Sequence, residues 1–228
     1  MAYSRGTLAY DGGEAQPANP ERAVKPYSEA CDENKVPILG VLREVFGDRQ
    51  RVLEIGSGTG QHAVYLARHL PHLSWQTSDL PANLAGIRAW LDEAGLPNLP
   101  SPVALDVDQA AWPVGSVDAV FSANTAHIMS WAGVQNMLAG VGRVLEPGGV
   151  FALYGPFSYR GRHVSESNAC FDAWLRERDP ESGVRDFEAL NALAEAAGLV
   201  LRSDLEMPVN NRTLVWRKPL SAGERVDA

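Results

Sequence analysis

Residues Arg51-Val52-Leu53-Glu54-Ile55 form an apolar run that passes straight into Gly56-Ser57-Gly58-Thr59-Gly60-Gln61. A strand that ends in three glycines at alternate positions, with a helical pattern behind them, leaves few folds open. The glycines permit a sharp turn and let a ligand approach where a Cβ would collide. The helix start behind such a turn presents unpaired N–H groups to that ligand. Spacing narrows the choice. A dinucleotide-binding turn reads G-x-G-x-x-G, its third glycine inside the helix; here Gln61 stands at that place. A phosphate-binding P-loop is excluded too, because no Gly-Lys-Ser/Thr follows.

The rest of the chain alternates. Val36, Leu39, Leu42 and Phe46 predict a helix from Glu33 to near Gly47, placed to cover a ligand cleft ahead of the first strand. Strand 51–55, helix 60–70, strand 73–78, a helix from Pro81 to Gly95, strand 103–105, strand 117–122 and helix 131–145 follow. Glu146-Pro147-Gly148-Gly149 reads as a turn before strand 150–154. After an irregular stretch, 155–185, come helix 187–197, strand 199–207, a turn at Asn210-Asn211 and strand 213–217. The expected fold is α/β and Rossmann-like: a seven-stranded, mostly parallel sheet with an antiparallel final strand and helices on both faces. Residues 1–26 read as a flexible N-terminal arm, 27–218 as one domain and 219–228 as a tail.

Length and composition fit this reading. The 228 residues suffice for one domain with a full core. The apolar runs are too short for a membrane span and the N-terminus lacks a signal peptide's apolar core, so the cytoplasm is the expected compartment. Two cysteines and five histidines in no ligand spacing give no metal site. A net charge of −8 weighs against nucleic acid and toward a small-molecule partner. Oligomeric state is not legible.

Further acids give the glycine turn its chemistry. Asp79 ends the second strand nineteen residues after Gly60, where a carboxylate can accept hydrogen bonds from both hydroxyls of a ribose seated on the loop; capping the helix that starts at Pro81 is its other reading. The form acid-x-G-x-G-x-G resembles motif I of class I S-adenosylmethionine-dependent methyltransferases. In that pattern Asp106, at the end of the third strand, reaches the adenine amine. Leu80 and Val107 flank these acids, and Glu54 can hold the loop amides and meet the ligand's ammonium. With Gly56, Ser57, Gly58, Thr59, Gly60 and Gln61 they form the expected cofactor set, and Asn124, after the fourth strand, joins them. His127 has a titration range suited to accepting an acceptor's proton, and Tyr154 is the second candidate catalytic residue; packing is the other reading of each.

Longer stretches are similar to the methyltransferase-like 26 family, the former domain-of-unknown-function family 938. They include Glu33-Asn34-Lys35 with Pro37-Ile38-Leu39, Leu53 to His62, Ser122-Ala123-Asn124-Thr125, His127-Ile128 with Trp131, and Leu153-Tyr154-Gly155-Pro156-Phe157. Asn168, Phe171-Asp172, Arg178-Asp179-Pro180, Arg185-Asp186, Met207-Pro208 and Asn210-Asn211 extend the similarity to residue 218. The resemblance implies a class I fold and S-adenosylmethionine as cofactor, S-adenosylhomocysteine being the product, but no substrate. Asn34, Lys35, Phe157, Asn168, Arg178 and Asn211 are the expected substrate-pocket residues, with Arg178 and Arg185 facing acids or an anionic substrate. A cofactor-binding sensor or scaffold without catalysis stays open, and an NAD-dependent oxidoreductase is disfavoured by the glycine spacing.

Overall fold

The computed structural model describes residues 25–220. Its elements run α1 (Glu29–Val45), β1 (Arg51–Ile55), α2 (Gln61–His69), β2 (Ser74–Asp79), a 3-10 turn over Pro81–Asn83, α3 (Leu84–Ala94), β3 (Val103–Ala104), β4 (Val117–Ala123) and α4 (Trp131–Val144). There follow β5 (Leu145–Gly155), β6 (Phe157–Tyr159), β7 (Arg162–His163), α5 (Glu166–Arg178), β8 (Arg185–Asp186), α6 (Phe187–Ala196), β9 (Val200–Met207) and β10 (Asn211–Arg217).

Successive strand residues point to opposite faces, and the apolar runs exploit this. Leu53, Ile55, Val120 and Phe151 pack with α4 and α6, while Val52, Phe121 and Ala152 pack with α1 and α2. Both faces of the sheet are therefore buried, as a parallel sheet requires. Its strand order is β3-β2-β1-β4-β5-β10-β9. The strands β1 to β5 pair in parallel, and β10 runs antiparallel to β5 and β9. The expected architecture is borne out. Strand order reverses between β1 and β4, so their carboxyl ends diverge and leave a crevice there.

Two expectations are corrected. Glu146-Pro147-Gly148-Gly149 is not a turn before a strand but part of β5. Opposite it, the β4 register steps from Val117–Leu145 to Ala119–Val150, so the glycines are absorbed as a bulge. Gly148 and Gly149 also exchange backbone bonds with Lys218 (2.8 and 2.9 Å), which pins the chain after β10. The stretch 155–185 is not irregular. It carries a small sheet, β7-β6-β8, and the thirteen-residue α5. The Ser165 hydroxyl accepts from Asn168 N at 3.1 Å and so caps α5.

The covering helix begins at Glu29, earlier than periodicity indicated, and continues through Pro37 because Ile38, Leu39 and Leu42 bury its inner face. Residues 25 and 26 of the expected flexible arm are docked on α3. The Trp90 indole donates to the Pro26 carbonyl (2.6 Å), and Lys25 Nζ lies 3.6 Å from the Trp90 ring centroid. The rest of that arm, and 221–228 of the tail, lie outside the described residues. Among the described residues no helix is long and apolar enough to cross a membrane.

Candidate active site

A cavity of about 1160 Å³ opens at the carboxyl ends of β1, β2, β4 and β5. That exceeds the ~300–1,000 Å³ of ordinary small-molecule pockets, so there is room for two molecules side by side. Toward β2 and β3 it is lined by Gly56, Ser57, Gly58, Thr59, Asp79, Leu80, Asp106 and Val107, with Asn124 at the end of β4. Toward β5 and β10 it is lined by Asn34, His127, Tyr154, Asn168 and Asn211.

The three glycines serve two purposes. A Cβ on Gly56 would sit 2.4 Å from the Thr125 methyl, and one on Gly60 would press on Ile87 and Trp90 of α3 at 3.3 Å. These two allow the loop to pack against its neighbours. Gly58 is different: its Cβ would meet nothing within 4 Å, and its φ is +58°. It turns its bare backbone to the cavity, the cradle that a close ligand requires.

Asp79 fastens this cradle. Its Oδ2 accepts from Gly58 N at 2.7 Å, and its Oδ1 accepts from Leu80 N and Asn83 Nδ2, each at 2.7 Å. It makes no helix-capping bond. A carboxylate offers about four acceptor positions, so one remains for a ligand hydroxyl. Asp106 takes Asp108 N on its Oδ1 at 3.0 Å, a local turn that leaves capacity on the carboxylate. Asn124 holds φ +58°, a left-handed backbone that Asn tolerates and that is enriched at functional sites.

Other expected residues sit behind the wall. Glu54 is fully buried and does not line the cavity, so it cannot meet a ligand's ammonium as expected. Its Oε2 accepts from Ser57 Oγ (2.9 Å) and Trp75 Nε1 (3.1 Å), bracing the loop from below. Burial raises its pKa to about 7; Asp79 adds to the rise, and the two hydrogen bonds oppose it. Gly60 is a packing residue. Gln61 clasps α1, accepting from Ser28 N (2.5 Å) and donating to Ser28 O (3.1 Å). Phe157 belongs to the core. Lys35 is tied to Asp32, and Arg178 is exposed with its guanidinium 3.8 Å from the Trp174 ring centroid. None of the last three lines the cavity, so their expected role as pocket residues is corrected.

His127 lines the cavity with its ring edge-on to Phe171 at 5.3 Å. Burial, aided by Arg185, lowers its pKa to about 4, below the range expected of a proton acceptor. It is a neutral imidazole. Tyr154 is 2% exposed, and burial raises its phenol pKa against the hydrogen bonding of Asn34 and Asn211. Asn34 in turn meets His62 Nε2 at 2.6 Å, and burial holds His62 at about 4 as well. Because Asn34 Oδ1 can only accept, the neutral His62 ring carries its proton on Nε2 and donates it there. His62, Thr125, Pro156, Phe171 and Val209 also line the cavity but were not expected to. The similarity at Phe171-Asp172 was the signal for Phe171; Val209 gave none.

Comparison with known proteins gives a family and a shared fold. A family described as "Protein of unknown function (DUF938)" matches residues 25–218. The chain belongs to this family. An uncharacterized methyltransferase of Synechocystis sp. is 33% identical over 108 residues, 46% of each protein. An O-methyltransferase family protein from Burkholderia thailandensis has a TM-score of 0.73 at 17% identity, over 82% of this chain and 57% of that one. The S-adenosylmethionine-dependent methyltransferase SibL, solved in its apo form, has a TM-score of 0.71 at 23% identity, over 83% and 56%. At such identities the two structures share the fold with this DUF938 member. The chain spans about half the length of the relatives it matches.

Proposed function

We propose that this DUF938 protein is an S-adenosylmethionine-dependent methyltransferase of the methyltransferase-like 26 type, acting on a small-molecule acceptor. The observation that carries the reading is the bond from Gly58 N to Asp79, which joins an open glycine cradle to a ribose-binding carboxylate inside one two-molecule cavity. Asp106 and Val107 lie where an adenine would be held, and the glycine loop, its Ser57, Gly58 and Gly60 N–H groups bonded to Ser78, Asp79 and Ser57, would give the cofactor's amino-acid end a fixed, close-fitting wall. The names of the Synechocystis relative and of SibL support the same activity.

When bound, S-adenosylmethionine would supply an electrophilic methyl group, its sulfur keeping the electron pair of the C–S bond as the acceptor takes the methyl. Because sulfur leaves neutral, no residue has to protonate a leaving group. The chain's task is to bring the acceptor atom in line with the methyl, worth up to ~7–11 kcal/mol in favourable systems. Asn124 fixes the β4 edge of the site. His127 accepts a hydrogen bond from the acceptor and orients it, but at a pKa of about 4 it passes the proton on to solvent rather than keeping it. Tyr154, with the Asn34 and Asn211 amides beside it, presents a neutral hydroxyl to the acceptor.

Calorimetric titration of the full chain with S-adenosylmethionine tests the reading. Binding should be present and should weaken in Asp79→Ala by about tenfold to 150-fold, the loss of ~1.5–3 kcal/mol from a hydrogen bond to a charged group. Unchanged affinity in the variant would sink the ribose assignment. Binding of NAD in place of S-adenosylmethionine would revive the oxidoreductase.

A further inference from the structure

Among the described residues no lysine or arginine lines the cavity; its charged groups are Glu33, Asp79, Asp106 and Asp108. Cations are nearby but held elsewhere. Lys35 follows Asn34 on α1 and binds Asp32. Arg178 stacks on Trp174, outside the wall. Arg185 turns its guanidinium to the carbonyls of Ala126 and Glu181 (2.9 and 2.7 Å) and of Met129. Thus it braces the loop that carries His127 instead of facing a substrate. Arg212, at the start of β10, pairs with Asp204 at 2.7 Å and Glu206 at 3.0 Å.

What faces the acceptor therefore carries no positive charge, and Glu33, near enough to Tyr154 to push its phenol pKa up, is the acid on this side. Asn34, Asn168, Asn211 and Tyr154 supply amides and a phenol, and Phe171 stands beside a neutral His127. A carboxylate or phosphate seated here would lose its water and gain no cation in exchange, a costly transfer. The acids across the cavity would repel it as well. A neutral polar group finds both donors and acceptors, and a flat apolar body finds aromatic walls.

Resting on the methyltransferase reading, we infer that the acceptor is a small molecule without negative charge, with a flat apolar body, methylated on a hydroxyl, thiol or neutral amine. The nucleophilic atom gains the methyl and releases its proton to solvent, and the electron pair of the broken C–S bond stays on sulfur. Carboxylates and phosphates are excluded as acceptors.

The test uses the full chain saturated with S-adenosylhomocysteine. Failure of that ligand to bind by calorimetry would defeat the methyltransferase reading itself, independently of acceptor class. On the loaded protein, saturation-transfer NMR compares 4-methylphenol, 4-methylaniline, 4-methylbenzoate and 4-methylphenyl phosphate at millimolar concentration. The phenol and the aniline should bind, and the two anions should bind at least roughly tenfold more weakly, a difference of about 1.4 kcal/mol. Binding of either anion as tight as the phenol, or binding by neither neutral probe, overturns the inference. Val209→Lys or Asn211→Lys places a cation at the rim and should raise benzoate binding about tenfold. No gain in either folded variant means the probes bind elsewhere, which overturns it too.

Discussion

Whether His127 stores a proton or only orients its partner depends on its surroundings. A base that held the acceptor's proton would give a rate profile bending near pH 6.5, the ordinary histidine range. Here the ring is buried beside Phe171 with Arg185 behind it, and its pKa falls to about 4. Turnover should therefore show no bend near pH 6.5, and His127→Gln should retain more activity than His127→Ala; a bend that disappears in the glutamine variant would restore the base. A second residue stands out for strain. Val209 takes φ +58°, where a β-branched side chain is crowded, and it is 79% exposed at the rim of the cavity. Replacement by glycine should stabilise the fold by about 1 kcal/mol, measured by denaturant midpoint, since the left-handed region costs ~1–2 kcal/mol for an L-residue. Sequence spacing located Asp79 at the cavity because its position follows from strand end and loop alone. It mislocated Glu54, whose side-chain direction depends on which sheet face α1 and α2 cover.

Elements were legible wherever periodicity was uninterrupted. The helices α2, α3 and α4 and the strands β1, β2 and β4 each begin or end within a residue or a few of the expected bounds. Legibility failed where long-range pairing overrode local turn chemistry. Glu146-Pro147-Gly148-Gly149 has every local mark of a turn, yet Lys218 and β4 hold it in the sheet. The α5 insertion failed for the opposite reason: Ser165 caps it and its apolar residues are few, so there is little pattern to read. The turn joining β9 to β10 is likewise set from outside, by Asn168 Nδ2 donating to Asn210 O at 3.2 Å. Packing of α2 on α3 gives its own prediction. Gly60→Ala adds a Cβ 3.3 Å from two α3 residues at φ +90°, and should destabilise by about 1–3 kcal/mol. Gly58→Ala, facing open space, should cost the fold less and weaken S-adenosylmethionine binding more. Equal midpoints for the two variants would contradict this division of labour.

For the molecule as a whole, buried titrating groups set opposing pH trends. His62 and His127 sit near pKa 4 when folded and near 6.5 when unfolded. Their contribution to stability is complete above about pH 6.5 and is lost as pH falls through about 4. Glu54 runs the other way. Its folded pKa of about 7 lies above its ordinary 4.5, so the native state keeps a proton that the unfolded chain has released. Its contribution is present below about 4.5 and is lost as pH rises through about 7. Glu54→Gln, which keeps an acceptor for Ser57 and Trp75, should thus gain stability relative to the parent between about pH 5 and 8. Denaturant titrations at each pH measure this, and a difference that stays constant across the range contradicts it. The clasp of Gln61 on Ser28 adds a mechanical consequence. One side chain grips both backbone atoms of the residue that starts the roof helix, from the position directly after the glycines. Roof and cradle are tied at this amide and again one residue on, where His62 Nε2 meets Asn34 Oδ1 at 2.6 Å. With Ile38, Leu39 and Leu42 anchoring the same helix in the core, the roof and the glycine loop beneath it are one mechanical unit, and a change at either is carried to the other.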